Sequence, residues 1–369
     1  MSEPNSRTSA LADRHRALGS DLEDWNGMGT AWSYSTDPKN EHDAIREAAG
    51  LFDMSPLKKL RVNGPDAAAV VDHLHSRDLS QVGPGQSAYG AVLTEQGTMA
   101  DDAIAFNLGD GAWLVVHGSG TTTELLSESA AGREVTIAVD DDLHIMSLQG
   151  PAALGLLDAN ASADLAPLPY FHHLETELFG RPVLLSRTGY SGERGYEVMA
   201  SAGDTVELWD AILDAGADLG VVPASFTALD KVRVEAALLF YGYDMTADHF
   251  PSEVGLGWAL SRHGADYRGK RAALDARGSE RFMFAGIDVD HDDMLAGGET
   301  LRLDGDDVGT VNSPAWSHRL GRSLALVHLA PEAAALGTRL EVRGEDREWA
   351  AVVSPTPFYD HDKSRTHAS

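Results

Sequence analysis

The sequence predicts an α+β chain, two related α+β units followed by a small all-β domain, and three observations carry that expectation. Its 369 residues suffice for two or three domains, and a hydrophobic content of 43% supplies a sizeable core. The stretches LRVNGPDAAAVVDHL (60–74) and IMSLQGPAALGLLDA (145–159) repeat one design: an apolar strand, Gly-Pro, then an Ala/Leu-rich helix. Beyond about residue 280 the pattern changes to short strands broken by Gly/Asp turns, as in a small barrel.

The elements follow in order. NEHDAIREAAGLF (40–52) places Ile45, Ala48, Ala49 and Phe52 on one helical stripe. In both copies of the repeat, proline suits the first helical position. AYGAVLTEQGTMADDAIAF (88–106) reads as a hairpin turning at Glu95-Gln96-Gly97, and AWLVVHG (112–118) as a further strand. PVLLSRTGYSGERGYEVMAS (182–201) is a second hairpin with a glycine-bearing loop. Two helices are expected next, at 204–216 with Asp204 as cap and at 225–242. HGADYRGKRAALDARGSER (263–281) connects them to the β domain, which dissolves into a polar tail, DHDKSRTHAS. The expected division is 1–144, 145–262 and 263–369.

Composition excludes several functions. Without cysteine there is no disulfide, thiolate nucleophile, iron–sulfur cluster or Cys-ligated zinc, and no metal is expected. Fifty-seven acidic against 29 basic residues, net −28, argue against nucleic acid or an anionic membrane as partner. No run of about 18 apolar residues offers a membrane span. The first residues carry charges where a signal peptide needs an apolar stretch, so a cytoplasmic location is expected.

The hairpins hold the chemistry. Glu197 lies on a strand among apolar residues, a costly place for a carboxylate without a partner. That partner is either Arg187 or Arg194 in a salt bridge, or a ligand offering adjacent N–H donors to a two-pronged acceptor, as a 2-amino-4-oxo pterin edge does. Asp101 and Asp102 are neighbours on a strand and point to opposite faces, with Asp101 the surface charge. Arg233 and Glu235 end the later helix, and Tyr241, Tyr243 and Asp244 sit in the turn after it.

Taken together, GLFDMS, NGPDA, AYGAVLTEQGTMADDAI, LQGPAA, SRTGYSGERGYEV, RVEAALLFYGYDM, SEVGLGWAL, GKRAAL and GRSLALV, in this order over roughly 40–340, resemble the folate-dependent T-protein family. That family comprises the aminomethyltransferase of the glycine cleavage system and tetrahydrofolate-dependent demethylases. The resemblance implies a three-domain ring with tetrahydrofolate, as one-carbon acceptor, bound through its opening. It implies Asp102 as the catalytic carboxylate, Glu197 as the pterin anchor, and Tyr89 and Tyr190 as lining; Arg187 and Glu193 match the motif and serve the site or brace the hairpin.

Three departures from the aminomethyltransferase pattern bear on the substrate. Pro56 stands where that enzyme has histidine, and Leu229 and Asp360 where it has arginines. Losing a forked cationic donor to leucine speaks against a lipoyl-bound aminomethyl group, and hence against a lipoyl carrier as partner. The demethylase branch, transferring methyl from a small S-, N- or O-methylated compound to N5 and giving 5-methyltetrahydrofolate, suits these changes better. Trp25, Trp32 and Tyr34 would cage a methylated onium, with Tyr241 and Tyr243 as further substrate contacts. A non-catalytic folate-binding protein ranks below both readings, since the cysteine motif of that branch is missing and Asp102 is kept.

Overall fold

The computed structural model describes residues 6–368 and consists of two helix-backed sheets, a two-stranded ribbon of Glu23–Trp25 and Met28–Thr30, and a barrel. The first sheet is antiparallel, in the order Ser87–Leu93, Met99–Gly109, Ala112–His117, Lys58–Asn63, Thr136–Val139. The second runs His173–Leu178, Arg181–Ser186, Gly195–Ser201, Leu143–Gln149, Ala49–Asp53, Val221–Pro223, with only the last pair parallel. Ala49–Asp53 thus joins the second sheet although it lies inside 1–144. Phe106, Leu114 and Val116 of the first sheet share a core with Phe52, Ile145 and Met199 of the second. Helices cover each sheet's other side, Ala67–Leu74 and Thr122–Ser129 on the first, Ala153–Asp158 and Ala202–Gly216 on the second. Six antiparallel strands between Met283 and Ser354 close the barrel.

The repeat is real in detail. Ala67 N–H bonds to Gly64 O at 3.1 Å, and Ala153 N–H to Gly150 O at 3.0 Å. Each proline therefore lies in the turn, two residues before the first helical residue, and not within the helix. Three helix boundaries also differ from expectation. The helix at 40–52 is Pro38–Glu47, because Ala49 and Phe52 belong to a strand whose neighbours claim their backbone groups. Ser201, not Asp204, caps Ala202–Gly216, its hydroxyl accepting from Asp204 N–H at 3.2 Å. The helix at 225–242 stops at Glu235, since Ala237 takes a left-handed conformation, φ +54°. Among the described residues no helix is long and apolar enough to cross a membrane.

Candidate active site

The strand Met99–Gly109 separates its two aspartates. Asp101 is fully buried: Oδ2 accepts from His117 Nδ1–H (2.8 Å) and from the Thr122 hydroxyl (2.7 Å), and Oδ1 from Asp102 N–H (3.0 Å). It is no surface charge, because donors from a neighbouring strand, His117, and a covering helix, Thr122, wait for it on that face. Asp102 faces the other way, half-buried, and accepts from the Tyr89 hydroxyl at 2.8 Å. Burial, and then the Asp101 charge, push its carboxyl well above the ordinary carboxylate range, with Tyr89 pulling back. The Tyr89 ring stacks on Trp258, centroids 6.3 Å apart, and Trp258 is 61% exposed. Tyr241 packs against the same buried cluster as Tyr89, and not, as expected, on the aromatic cavity with Tyr243; burial, then the charges of Asp101 and Asp102, raise its pKa. The Tyr190 hydroxyl donates to Leu239 O; burial raises its pKa, and Asp102 is among the charges it feels.

On the second hairpin Glu197 is 9% exposed and pairs with neither arginine. Its carboxylate accepts from the Thr188 hydroxyl, and burial raises its pKa against that bond. Arg187 turns away to Leu168 O (2.9 Å) and Ala368 O (2.7 Å). Arg194 likewise reaches Ala368 O (2.9 Å) and the Tyr196 hydroxyl (2.8 Å). The expected salt bridge is absent because the carbonyls of the loop at 166–168 and of the C-terminal segment take both guanidiniums. Glu193 braces the loop, bonded to Arg46 (3.0 Å) and Arg365 (2.7 Å). The glycines have a steric reason: a Cβ on Gly189 or Gly195 would lie 2.1 or 2.2 Å from Gln149 Oε1. That side chain runs between them to the Ser191 hydroxyl (2.8 Å) and Thr188 O (3.2 Å). Arg187, Thr188 and Tyr170 line a cavity of about 100 Å³ beside this loop.

A larger cavity, about 430 Å³, is lined by Tyr190. Trp32, Phe226, Phe240 and Tyr243 wall it with Tyr190, and Leu229 presents an apolar surface where the aminomethyltransferase pattern expects an arginine. Trp25 stands behind, against Phe226 (4.9 Å) and Phe240 (5.9 Å). Tyr34 does not belong to this cage. Its hydroxyl bonds His15 Nδ1 (2.9 Å) within the core, where His15 also meets Asp53 (2.9 Å) and the edge of Trp209. Arg233 is spent on Asp230 (2.7 Å), Asp244 and the barrel's Ser313 (2.8 Å). Asp360 caps the C-terminal segment, accepting from Ser364 (2.6 Å) and Arg365 N–H (2.7 Å).

Residues 11–263 match the GCVT N-terminal domain, and 283–360 the glycine cleavage T-protein C-terminal barrel domain. The chain belongs to the glycine cleavage T-protein family. It is 45% identical to the heme-dependent oxidative N-demethylase gamma subunit of Ectopseudomonas mendocina (strain ymp), over 98% of each chain. It is 35% identical to the aminomethyltransferase of Shouchella clausii (strain KSM-K16), over 96% of this chain and 98% of that one. The glycine cleavage system aminomethyltransferase T of Bartonella henselae superposes with a TM-score of 0.89, covering 96% of this chain and 98% of that chain at 24% identity. T-protein membership makes this chain a one-carbon transferase and accounts for the two sheets and barrel.

Within the T-protein frame, Tyr89 and Asp102 touch, and Trp32, Tyr190 and Tyr243 share a cavity. Sequence reasoning missed Phe226, Phe240, Trp258, Tyr170 and the C-terminal segment. Trp258 lies in the motif SEVGLGWAL, but an exposed tryptophan cannot be told from a packed one without the fold.

Proposed function

We propose that this chain receives a one-carbon unit from an N-methylated amine and places it on tetrahydrofolate. The supporting observation is the pair of buried or half-buried carboxylates, Asp102 and Glu197, each bonded to a hydroxyl and to no cation. Glu197 would accept the paired N–H donors of the pterin edge. Tetrahydrofolate, as co-substrate, supplies the nucleophilic N5 and leaves carrying the carbon. Asp102 would stabilise the positive charge that builds on that nitrogen during attack. Tyr89 would orient this carboxylate, and Tyr190, which feels the Asp102 charge, lines the aromatic cavity that would hold the donor.

The relatives' names narrow the donor. Aminomethyltransferase and oxidative N-demethylase share a carbon bound to nitrogen, at the oxidation level of an N–CH₂ group. Partner subunits would remove two electrons from the amine, giving an iminium. The N5 pair attacks the iminium carbon, the amine departs with a proton, and ring closure yields 5,10-methylenetetrahydrofolate. A second reading, direct transfer of an onium methyl giving 5-methyltetrahydrofolate, draws on the aromatic walls around Leu229, which suit a methylated cation.

Single-turnover incubation with tetrahydrofolate and a panel of N-methylated amines, with and without their N-hydroxymethyl forms, separates these by mass spectrometry of the folate. Methylenetetrahydrofolate formed faster than in the protein's absence supports the first reading. Methyltetrahydrofolate from the unoxidised amine selects the second. Bound folate with no product in any arm removes both readings.

A further inference from the structure

Helix Pro38–Glu47 meets the turn between barrel strands Asp306–Ser317 and Arg322–Leu329 at a cluster that the proposed chemistry does not use. His42, 1% exposed, donates its Nε2–H to Glu235 Oε1 at 2.9 Å. That bond leaves Nδ1 as the lone-pair nitrogen, and this atom is buried with no hydrogen-bond partner. It faces Asp43 Oδ1 at 4.0 Å, too far for a hydrogen bond. The same Oδ1 lies 2.8 Å from His318 Nε2, and the rings of His42 and His318 meet edge to face at 4.7 Å. Ligand atoms of the three residues all lie within 4.8 Å of one another.

We propose that His42 Nδ1, the Asp43 carboxylate and His318 Nε2 form a site for a divalent late first-row transition metal, of which zinc is the type. Two imidazoles and a carboxylate are the donor set such ions take, whereas magnesium and calcium prefer oxygen throughout. Ligands about 2.0–2.2 Å from zinc at the tetrahedral angle lie about 3.4 Å apart; the 2.8 and 4.0 Å separations bracket that spacing. The Glu235 bond to the far nitrogen of His42 is the outer support that metal-bound histidines carry, since it fixes the tautomer and turns the lone pair to the ion. Arg319 competes for the carboxylate. Its Nη1 lies 2.9 Å from Asp43 Oδ1, but also 2.7 Å from Glu47, which holds it when Asp43 turns to the metal. The ion would pin the helix to the barrel, a structural role apart from the carboxylates at 102 and 197.

Calorimetric titration of the untagged full chain with zinc chloride tests this, with magnesium chloride as control. Saturable binding of one zinc per chain is expected, together with a thermal midpoint that rises with zinc and returns with a chelator. Asp43→Asn and His318→Ala should each weaken binding about tenfold or more. Neither touches the His42–Glu235 bond, so the metal-free thermal midpoint should stay close to that of the parent. Arg319→Ala should bind zinc as tightly or more tightly. The chain has fifteen histidines, so binding that survives both His318→Ala and Asp43→Asn belongs elsewhere and overturns the site. Absence of saturable binding overturns it as well.

Discussion

Asp101 and Asp102 differ in one position and in almost everything else. Asp102→Asn keeps the shape and Tyr89 as neighbour but removes the charge. Turnover under saturating folate is expected to fall about 100-fold or more, the scale of one preorganised electrostatic group, with folate affinity kept. Asp101→Asn acts on the fold instead. Its amide would leave the His117 and Thr122 donors mismatched in a fully buried place, costing about 1–3 kcal/mol in denaturant unfolding. Equal rate losses at both positions, with equal stabilities, would sink the distinction. A pH profile follows from the raised Asp102 carboxyl: the ionised form does the work, so turnover should climb with pH in a window above the ordinary carboxylate range, and asparagine should flatten that limb. The stability consequence has the opposite sign, because a folded state that binds the proton more tightly loses stability as pH rises from the unfolded pKa to the folded one. Glu197→Gln exchanges a charge-assisted bond to the pterin for a neutral one and should weaken tetrahydrofolate binding by about 1–3 kcal/mol; an unchanged affinity would take Glu197 out of the site.

The loop at 187–194 works because Gln149 is threaded between two glycines. Gly195→Ala sets a methyl 2.2 Å from the Gln149 amide oxygen and should expel it, breaking the Ser191 and Thr188 bonds together. A loss of about 1–3 kcal/mol in unfolding, with folate affinity falling as Thr188 loses its place beside Glu197, is the expected outcome; a silent substitution would show that the threading is dispensable. Much at this scale was legible in the sequence. The strands Ser87–Leu93 and Gly195–Ser201 stand as the alternation drew them, and the barrel strands fall where Gly/Asp turns divided them. Pattern failed where tertiary contacts decide. Nothing local tells that the chain after Glu47 is a strand rather than more helix, that Phe240 leaves the helical path to wall a cavity, or that Tyr34 buries its hydroxyl on His15. Asp101 was misplaced for the same reason: its partners His117 and Thr122 come from a later strand and helix, and only the assembled sheet joins them.

Three bodies meet at Glu235. Its carboxylate receives His42 (2.9 Å), Arg46 (2.7 Å) and the barrel's Ser317 (2.6 Å), and its carbonyl receives Tyr359 N–H (3.0 Å). Against the push of burial, His42, Arg46 and Ser317 hold its pKa at about 2, below the usual 4.5. A depressed carboxyl stabilises above its unfolded pKa, so this contribution should be complete near neutrality and drain away as pH falls from about 4.5 toward about 2. Glu235→Gln leaves Arg46 only Glu193 as a charged partner and weakens the bonds from His42 and Ser317 together, so it should cost about 1–3 kcal/mol, splitting or broadening the calorimetric transition as the barrel parts from the sheets; a variant melting as sharply and as high as the parent would deny Glu235 this role. Barrel closure also decides how another chain can approach. A closed barrel has no row of unpaired backbone groups, so strand-to-strand recruitment is confined to the open sheets. Val221–Pro223, at one margin, is three residues long and ends in a residue without an N–H. Thr136–Val139, at another, is four residues long, with Val139 56% exposed, and runs straight into Asp140-Asp141-Asp142. Charged side chains crowd the mouth of this short margin, Asp140 held by Arg61 and Asp141 by Arg7 with Asp142 beside them, so a neighbour approaching here must be met through side chains rather than through a shared ladder.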